Sequence, residues 1–218
     1  MRYIDIHTHK DYSAEHEFAL RSYDLNELGE SPRGYFSVGC HPWFSVYDES
    51  LGRLAAQENC LAIGECGLDK LRGPSLEIQT TSLEAQIQLS EQLGKPMILH
   101  VVKTYNEIIA LRKKHLPKQP WVIHGFNKSA ELAKALTDAG FYFSFGSALA
   151  QEHNRRVLAS IPDGFILAET DEGSMPIGQV YKHMAEASGI TVEKLERLIS
   201  RNFKNVFGSH ADELVRTR

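Results

Sequence analysis

The stretch from Ser75 to Val101, SLEIQTTSLEAQIQLSEQLGKPMILHV, contains the unit from which the fold is read. Leu76, Leu83, Ile87, Leu89 and Leu93 recur at roughly helical spacing. Gly94-Lys95-Pro96 then stops the helix, and Met97-Ile98-Leu99-His100-Val101 follows as a short apolar run of strand length. The same alternation repeats along the chain. Strands are expected at 2–7, 35–39, 61–65, 97–101, 121–124, 142–145 and 165–169, and helices at 75–93, 104–114, 129–139, 152–160 and 179–188. A further helix is expected from Thr191, whose N-cap pattern is weak because Lys194 stands where Glu or Gln would complete the box. Strands alternating with helices specify an α/β fold with a parallel sheet. Seven clear strands and a helical end favour a TIM-type (β/α) barrel over a doubly wound sheet, and leave open whether its eighth unit is incomplete.

Length and composition set the frame. At 218 residues the chain suits one domain spanning 1–218. The net charge is −4 and charged residues make up 24%, so no general basic field exists to hold a polyanion, and any phosphate recognition has to be local. Cys40, Cys60 and Cys66 are an odd set without C-x-x-C spacing, which argues against a disulfide framework or a zinc ribbon. The N-terminal residues read as a strand, and no apolar run reaches the length of a membrane span. A cytoplasmic location is expected, with no membrane contact and no obligate protein partner evident.

The chemistry lies at the strand ends. Side chains alternate along a strand, so Asp5, His7 and His9 project to one side at the end of the first strand. Glu65 closes the strand Ala62-Ile63-Gly64-Glu65, His100 closes Met97-Ile98-Leu99-His100, His124 closes Trp121-Val122-Ile123-His124, and Asp171 follows Ile166-Leu167-Ala168-Glu169-Thr170. In a parallel barrel the C-terminal strand ends open on one face. Four imidazoles and two carboxylates there have the composition of a binuclear metal centre in which a carboxylate bridges. His41, in Gly39-Cys40-His41-Pro42, is placed to donate to a substrate oxygen. Asp5, Asp69 and Glu169 are carboxylates able to support ligand histidines. His16, His115, His153, His183 and His210 lie away from the strand ends and read as ordinary histidines, and Phe141, Phe143 and Phe145 alternate as core positions of a strand.

The segments Asp5–His9, Gly39–Pro42, Gly64–Asp69, Leu99-His100, His124-Gly125-Phe126 and Glu169-Thr170-Asp171 together resemble the TatD-type metal-dependent hydrolases of the amidohydrolase superfamily. The resemblance implies two divalent ions, of zinc, manganese, cobalt, iron or magnesium. It implies His7, His9, Glu65 and Asp171 as ligands of one ion, and Glu65, His100 and His124 as ligands of the other. It also implies deoxyribonuclease activity by attack of a metal-activated water on a phosphodiester, with Asp171 orienting that water and taking its proton. The chain departs from the family pattern in two places. Val102 stands where an Arg is common, leaving Lys103 as the nearby cation, and Glu172 follows Asp171 where Ser-Pro is usual. Lys is a poorer bidentate phosphate ligand than Arg, so Lys103 and His41 are the expected substrate contacts. These departures keep a second reading open, an amidohydrolase-type enzyme acting on a small phosphoester, ester, amide or lactone. A third is a non-catalytic metal-binding scaffold.

Overall fold

The computed structural model describes residues 3–10, 17–27, 32 and 34–208. Eight strands lie in one sheet in chain order: β1 (Tyr3–Thr8), β2 (Glu17–Asp24), β3 (Phe36–Gly39), β4 (Cys60–Asp69), β5 (Met97–Val102), β6 (Trp121–Ile123), β7 (Phe141–Phe145) and β8 (Ile166–Ala168). The pairings β2–β3, β3–β4, β4–β5, β5–β6 and β7–β8 are parallel. Seven α-helices are described: α1 (Ser50–Ala55), α2 (Leu76–Leu93), α3 (Tyr105–His115), α4 (Ala130–Asp138), α5 (Glu152–Ala159), α6 (Ile177–Ser188) and α7 (Val192–Phe207). This is the (β/α) barrel connectivity, with eight strands in place of the seven read from the sequence. The strand missed in the sequence is β2, the second in order. Its buried positions include Ser22 and Asp24 beside Phe18 and Leu20, so the apolar alternation fades halfway along it.

The chain divides into two compact units, one made of the residues up to Ala19 with those from His124 onward, the other of Leu20–Ile123. In the first, β7 pairs with β8, and the backbone N–H of Asp171, just past β8, donates to the carbonyl of His7 on β1 at 2.9 Å. Phe141, Phe143 and Phe145 are buried, as their alternation requires. The Tyr181 hydroxyl of α6 donates to the Ile4 carbonyl and accepts from the Ile4 N–H, which fastens α6 to β1. Thr191 accepts from the Lys194 N–H, so the α7 cap forms without the second half of the box.

In the second unit α2 begins at the Ser75 cap and ends at Gly94, whose left-handed φ of 66° closes the helix as Gly at that position commonly does. Half of its buried face is polar. Leu83 and Ile87 pack inward, and so do Gln79 and Gln86, which sit one and the next two turns along the same face. Gln86 accepts from the Cys40 N–H at 2.8 Å and donates to the Cys40 carbonyl, while Gln79 accepts from the Asp69 N–H at 2.8 Å and donates to the carbonyls of Asp69, Arg72 and Pro74. These two amides therefore anchor the C-terminal ends of β3 and β4. Cys40, Cys60 and Cys66 are free and buried, and burial pushes the Cys66 thiol well above its ordinary range. No helix among the described residues is long and apolar enough to cross a membrane.

Candidate active site

In the Leu20–Ile123 unit, β3, β4 and β5 converge on Glu65. Gly39 and Gly67 permit this approach: a Cβ on Gly39 would lie 2.6 Å from the Glu65 carbonyl, and one on Gly67 would lie 2.0 Å from the His100 carbonyl. Gly67 also has φ of 147°, a conformation open to glycine. With Gly67 bare between them, Glu65 and Asp69 are the carboxylates at the C-terminal end of β4. His100 lies against both, its Nδ1 2.9 Å from Glu65 Oε1 and its Nε2 3.1 Å from Asp69 Oδ2.

The turn after β3 supplies His41. Asp24, at the end of β2, accepts from the His41 N–H at 2.9 Å and from the Ser45 hydroxyl at 2.7 Å. The Trp43 N–H donates to His41 Nδ1, which places the ring proton on Nε2 and makes that nitrogen the donor to Glu65 Oε1 at 3.1 Å. His41, expected as a substrate contact, is thus engaged with Glu65. Asp69 is held in turn by the Trp43 indole N–H at 2.6 Å and by the N–H groups of Leu71 and Arg72. Burial pushes the Asp69 carboxyl up, but the Leu71 N–H, the Trp43 indole and His100 outweigh it, and its pKa lies below the ordinary carboxylate range. Lys103, the other expected substrate contact, is exposed immediately after β5 with φ of 54°.

The other unit gathers the remaining expected ligands. The His7 ring lies 5.1 Å from the His9 ring and 4.5 Å from the His124 ring, centroid to centroid. Asp171 Oδ1 stands 3.7 Å from Nε2 of His7 and of His9. Asp171 is itself in the left-handed region, with φ of 51°. Behind these rings are two buried carboxylates. Asp5 accepts from the His7 N–H at 3.3 Å, the Thr170 N–H at 3.0 Å and the Thr170 hydroxyl at 2.6 Å, so it ties β1 to the segment that carries Asp171. Burial pushes its carboxyl up to about 7, against the lowering effect of those donors. Glu169 accepts from the Ser144 hydroxyl and lies 3.7 Å from His124 Nδ1. Burial raises its pKa too, but His124, His7 and Ser144 more than compensate, and the net direction is downward.

Both donor sets fit a divalent cation. The ligand atoms of His7, His124 and Asp171 lie within 4.8 Å of one another, as do those of Glu65 and His100, where His41 is the hydrogen-bond donor that fixes Glu65. Imidazole and carboxylate donors together suit zinc, manganese, cobalt and iron. His100 makes the stronger case. A neutral imidazole donates through one nitrogen only, so of the two carboxylate oxygens that flank this ring one meets a lone pair, and a cation or a proton there removes the repulsion.

A family model described as TatD related DNase matches residues 13–208. The chain belongs to the TatD family. It is 32% identical over 212 residues to the metal-dependent hydrolase YcfH of Escherichia coli K12, covering 88% of this chain and 80% of that protein. It is 29% identical over 220 residues to a protein of Pantoea ananatis named 3'-5' ssDNA/RNA exonuclease TatD, covering 87% and 85%. The crystal structure of the TatD homologue YjjV of Escherichia coli K12 superposes with a TM-score of 0.75 at 21% identity, over 94% of this chain and 98% of that one, and carries the same fold. The protein is therefore a TatD-family metal-dependent hydrolase, as the resemblance implied, and the barrel class holds.

The residues that sequence reasoning left out of the site are Asp24, Trp43, Gln79, Gln86, Ser144 and Thr170. Only Asp24 is a ligand type at a strand end, and it ends the strand that the sequence pattern did not show. Asp69 was legible in part, since it falls four residues after Glu65 and therefore on the same face of a strand.

Proposed function

We propose that this TatD-family protein is a nuclease that hydrolyses phosphodiester bonds of nucleic acid, DNA in the first place, with two divalent ions. The observation that carries this reading is the pair of donor sets, His7, His124 and Asp171 in one unit and Glu65 and His100, oriented by His41, in the other. The ligand assignment follows the family pattern, with His7, His9, Glu65 and Asp171 for one ion and Glu65, His100 and His124 for the other. Two bound ions supply positive charge that lowers the pKa of a water and offsets negative charge on the attacking and leaving oxygens.

The side chains do the rest. Asp171, half exposed beside His7 and His9, orients the attacking water and accepts its proton. His41, as the donor to Glu65, fixes that carboxylate, and Asp69 fixes the His100 ring from its other nitrogen. Lys103 contacts a substrate phosphate. Residues 1–218 act as one functional domain, which the unbroken family match over 13–208 supports, and the protein works in the cytoplasm.

The test is digestion of short single-stranded and duplex DNA with added manganese, zinc or magnesium, beside an EDTA blank and a His100→Ala control. Cleavage lost in both controls is the expected result. Val102 and Glu172, which replace a cation and add a negative charge, favour one rival, a hydrolase of small esters or lactones. Turnover of such substrates by metal-loaded protein that leaves DNA intact would select it.

A further inference from the structure

The turn that carries His41 also presents two aromatic rings beside the His41–Glu65–His100 cluster. The Phe44 ring stacks on the His41 imidazole, with centroids 5.0 Å apart and planes at 29°. Trp43 stands edge-on to His100 at 5.2 Å, and its own ring carries the Arg72 guanidinium at 4.5 Å. Phe44 is nonetheless 65% exposed.

This placement is fixed rather than incidental. The Phe44 and Ser45 N–H groups both donate to the His41 carbonyl, Asn26 donates to the Phe44 carbonyl, and Asp24 holds the two ends of the turn. The Arg72 loop is fixed on the same turn: its N–H donates to Asp69, and a Cβ on Gly73 would lie 2.2 Å from the Pro42 carbonyl. Asp69 and Val102 are register partners on β4 and β5, and each is followed by an exposed lysine, Lys70 and Lys103. Aromatic faces next to several cations are the composition that recognises an unpaired nucleotide, where rings stack on the base and cations take the phosphates. A base inside a duplex offers no such free face.

We propose that Phe44 and Trp43, with Arg72, Lys70 and Lys103, form a subsite that stacks an unpaired nucleobase next to the His41–Glu65–His100 cluster and so selects single-stranded ends. The proposal rests on the nuclease reading above and adds to it the residues that choose the strand.

The test uses the full chain with metal bound and a short phosphorothioate single strand that resists cleavage, labelled at its centre for anisotropy. A second strand is identical except for abasic nucleotides at both ends. The wild type is expected to bind the first strand about ten-fold more tightly, the scale of one base–aromatic stack. Phe44→Ala is expected to bind both strands equally and weakly, and Phe44→Tyr to restore the difference. Because Phe44 is mostly in solvent, the thermal midpoint of Phe44→Ala should match the wild type, which separates lost stacking from lost folding. Wild-type protein that binds both strands alike, or Phe44→Ala that keeps the distinction, would overturn the subsite. Cleavage of ordinary DNA is measured separately: base-dependent binding without cleavage would sink the nuclease reading alone, and cleavage without base-dependent binding would sink the subsite alone.

Discussion

The two clusters are built differently. Around Glu65, every polar side chain meets a stated partner at 2.6–3.1 Å: His41 and His100 on Glu65, His100 and Trp43 on Asp69. Around Asp171, the imidazoles of His7 and His9 stand 3.7 Å from the carboxylate and gather ring against ring, and the tight hydrogen bonds lie one layer behind, at Asp5, Thr170 and Ser144. The first cluster is a hydrogen-bonded network that orients its own ligands. The second orients its ligands through the backbone, because Asp5 grips the His7 N–H and the Thr170 N–H.

The largest expected effect is in the Asp171 cluster. Asp171→Asn should lower kcat by about 10²–10⁴-fold, the range of a lost general base, with circular dichroism unchanged. Turnover within a few-fold of wild type would remove Asp171 from the chemistry. Next, Asp69→Asn acts on the hydrogen-bonded side through its contact with His100, without removing a proposed ligand. It should weaken metal affinity by roughly 10–100-fold, as loss of an orienting carboxylate does, and added metal should recover most of kcat; a kcat loss that excess metal does not repair would make Asp69 more than an orienting group. The smallest effect belongs to the layer behind Asp171. Thr170→Val leaves Asp5 buried with one donor fewer, which should cost about 1–3 kcal/mol in urea unfolding while metal affinity changes less than in Asp69→Asn. An affinity loss as large as that of Asp69→Asn would erase the difference between the two clusters.

Much of this was legible before any coordinates. Period-2 and period-3.6 patterns place β1, β5, β7, α2 and α5 within a residue or two, and the ligand types fall at strand ends because a parallel sheet brings those ends to one side. What was not legible shares a physical cause, namely polar residues buried for support. β2 was missed because Ser22 and Asp24 occupy inward positions, and Asp24 is there to hold the His41 turn. Gln79 and Gln86 lie outside the set of apolar residues that marks α2 in the sequence, yet they point inward to satisfy backbone groups at the ends of β3 and β4. A periodicity argument counts apolar residues, so it cannot tell a buried amide with four partners from one in water. The link between His41 and Glu65 was hidden for a related reason: Glu65 lies on another strand, and only the fold brings the two side chains together.

The central claim is that each cluster contributes ligands to bound metal. The most direct test is metal content of the purified chain by elemental analysis after reconstitution and desalting, with Glu65→Ala and His7→Ala measured alongside. The account predicts two ions per wild-type chain and fewer in each variant. Wild-type protein that retains no metal, or a His7→Ala and Glu65→Ala pair that both retain two, would contradict it.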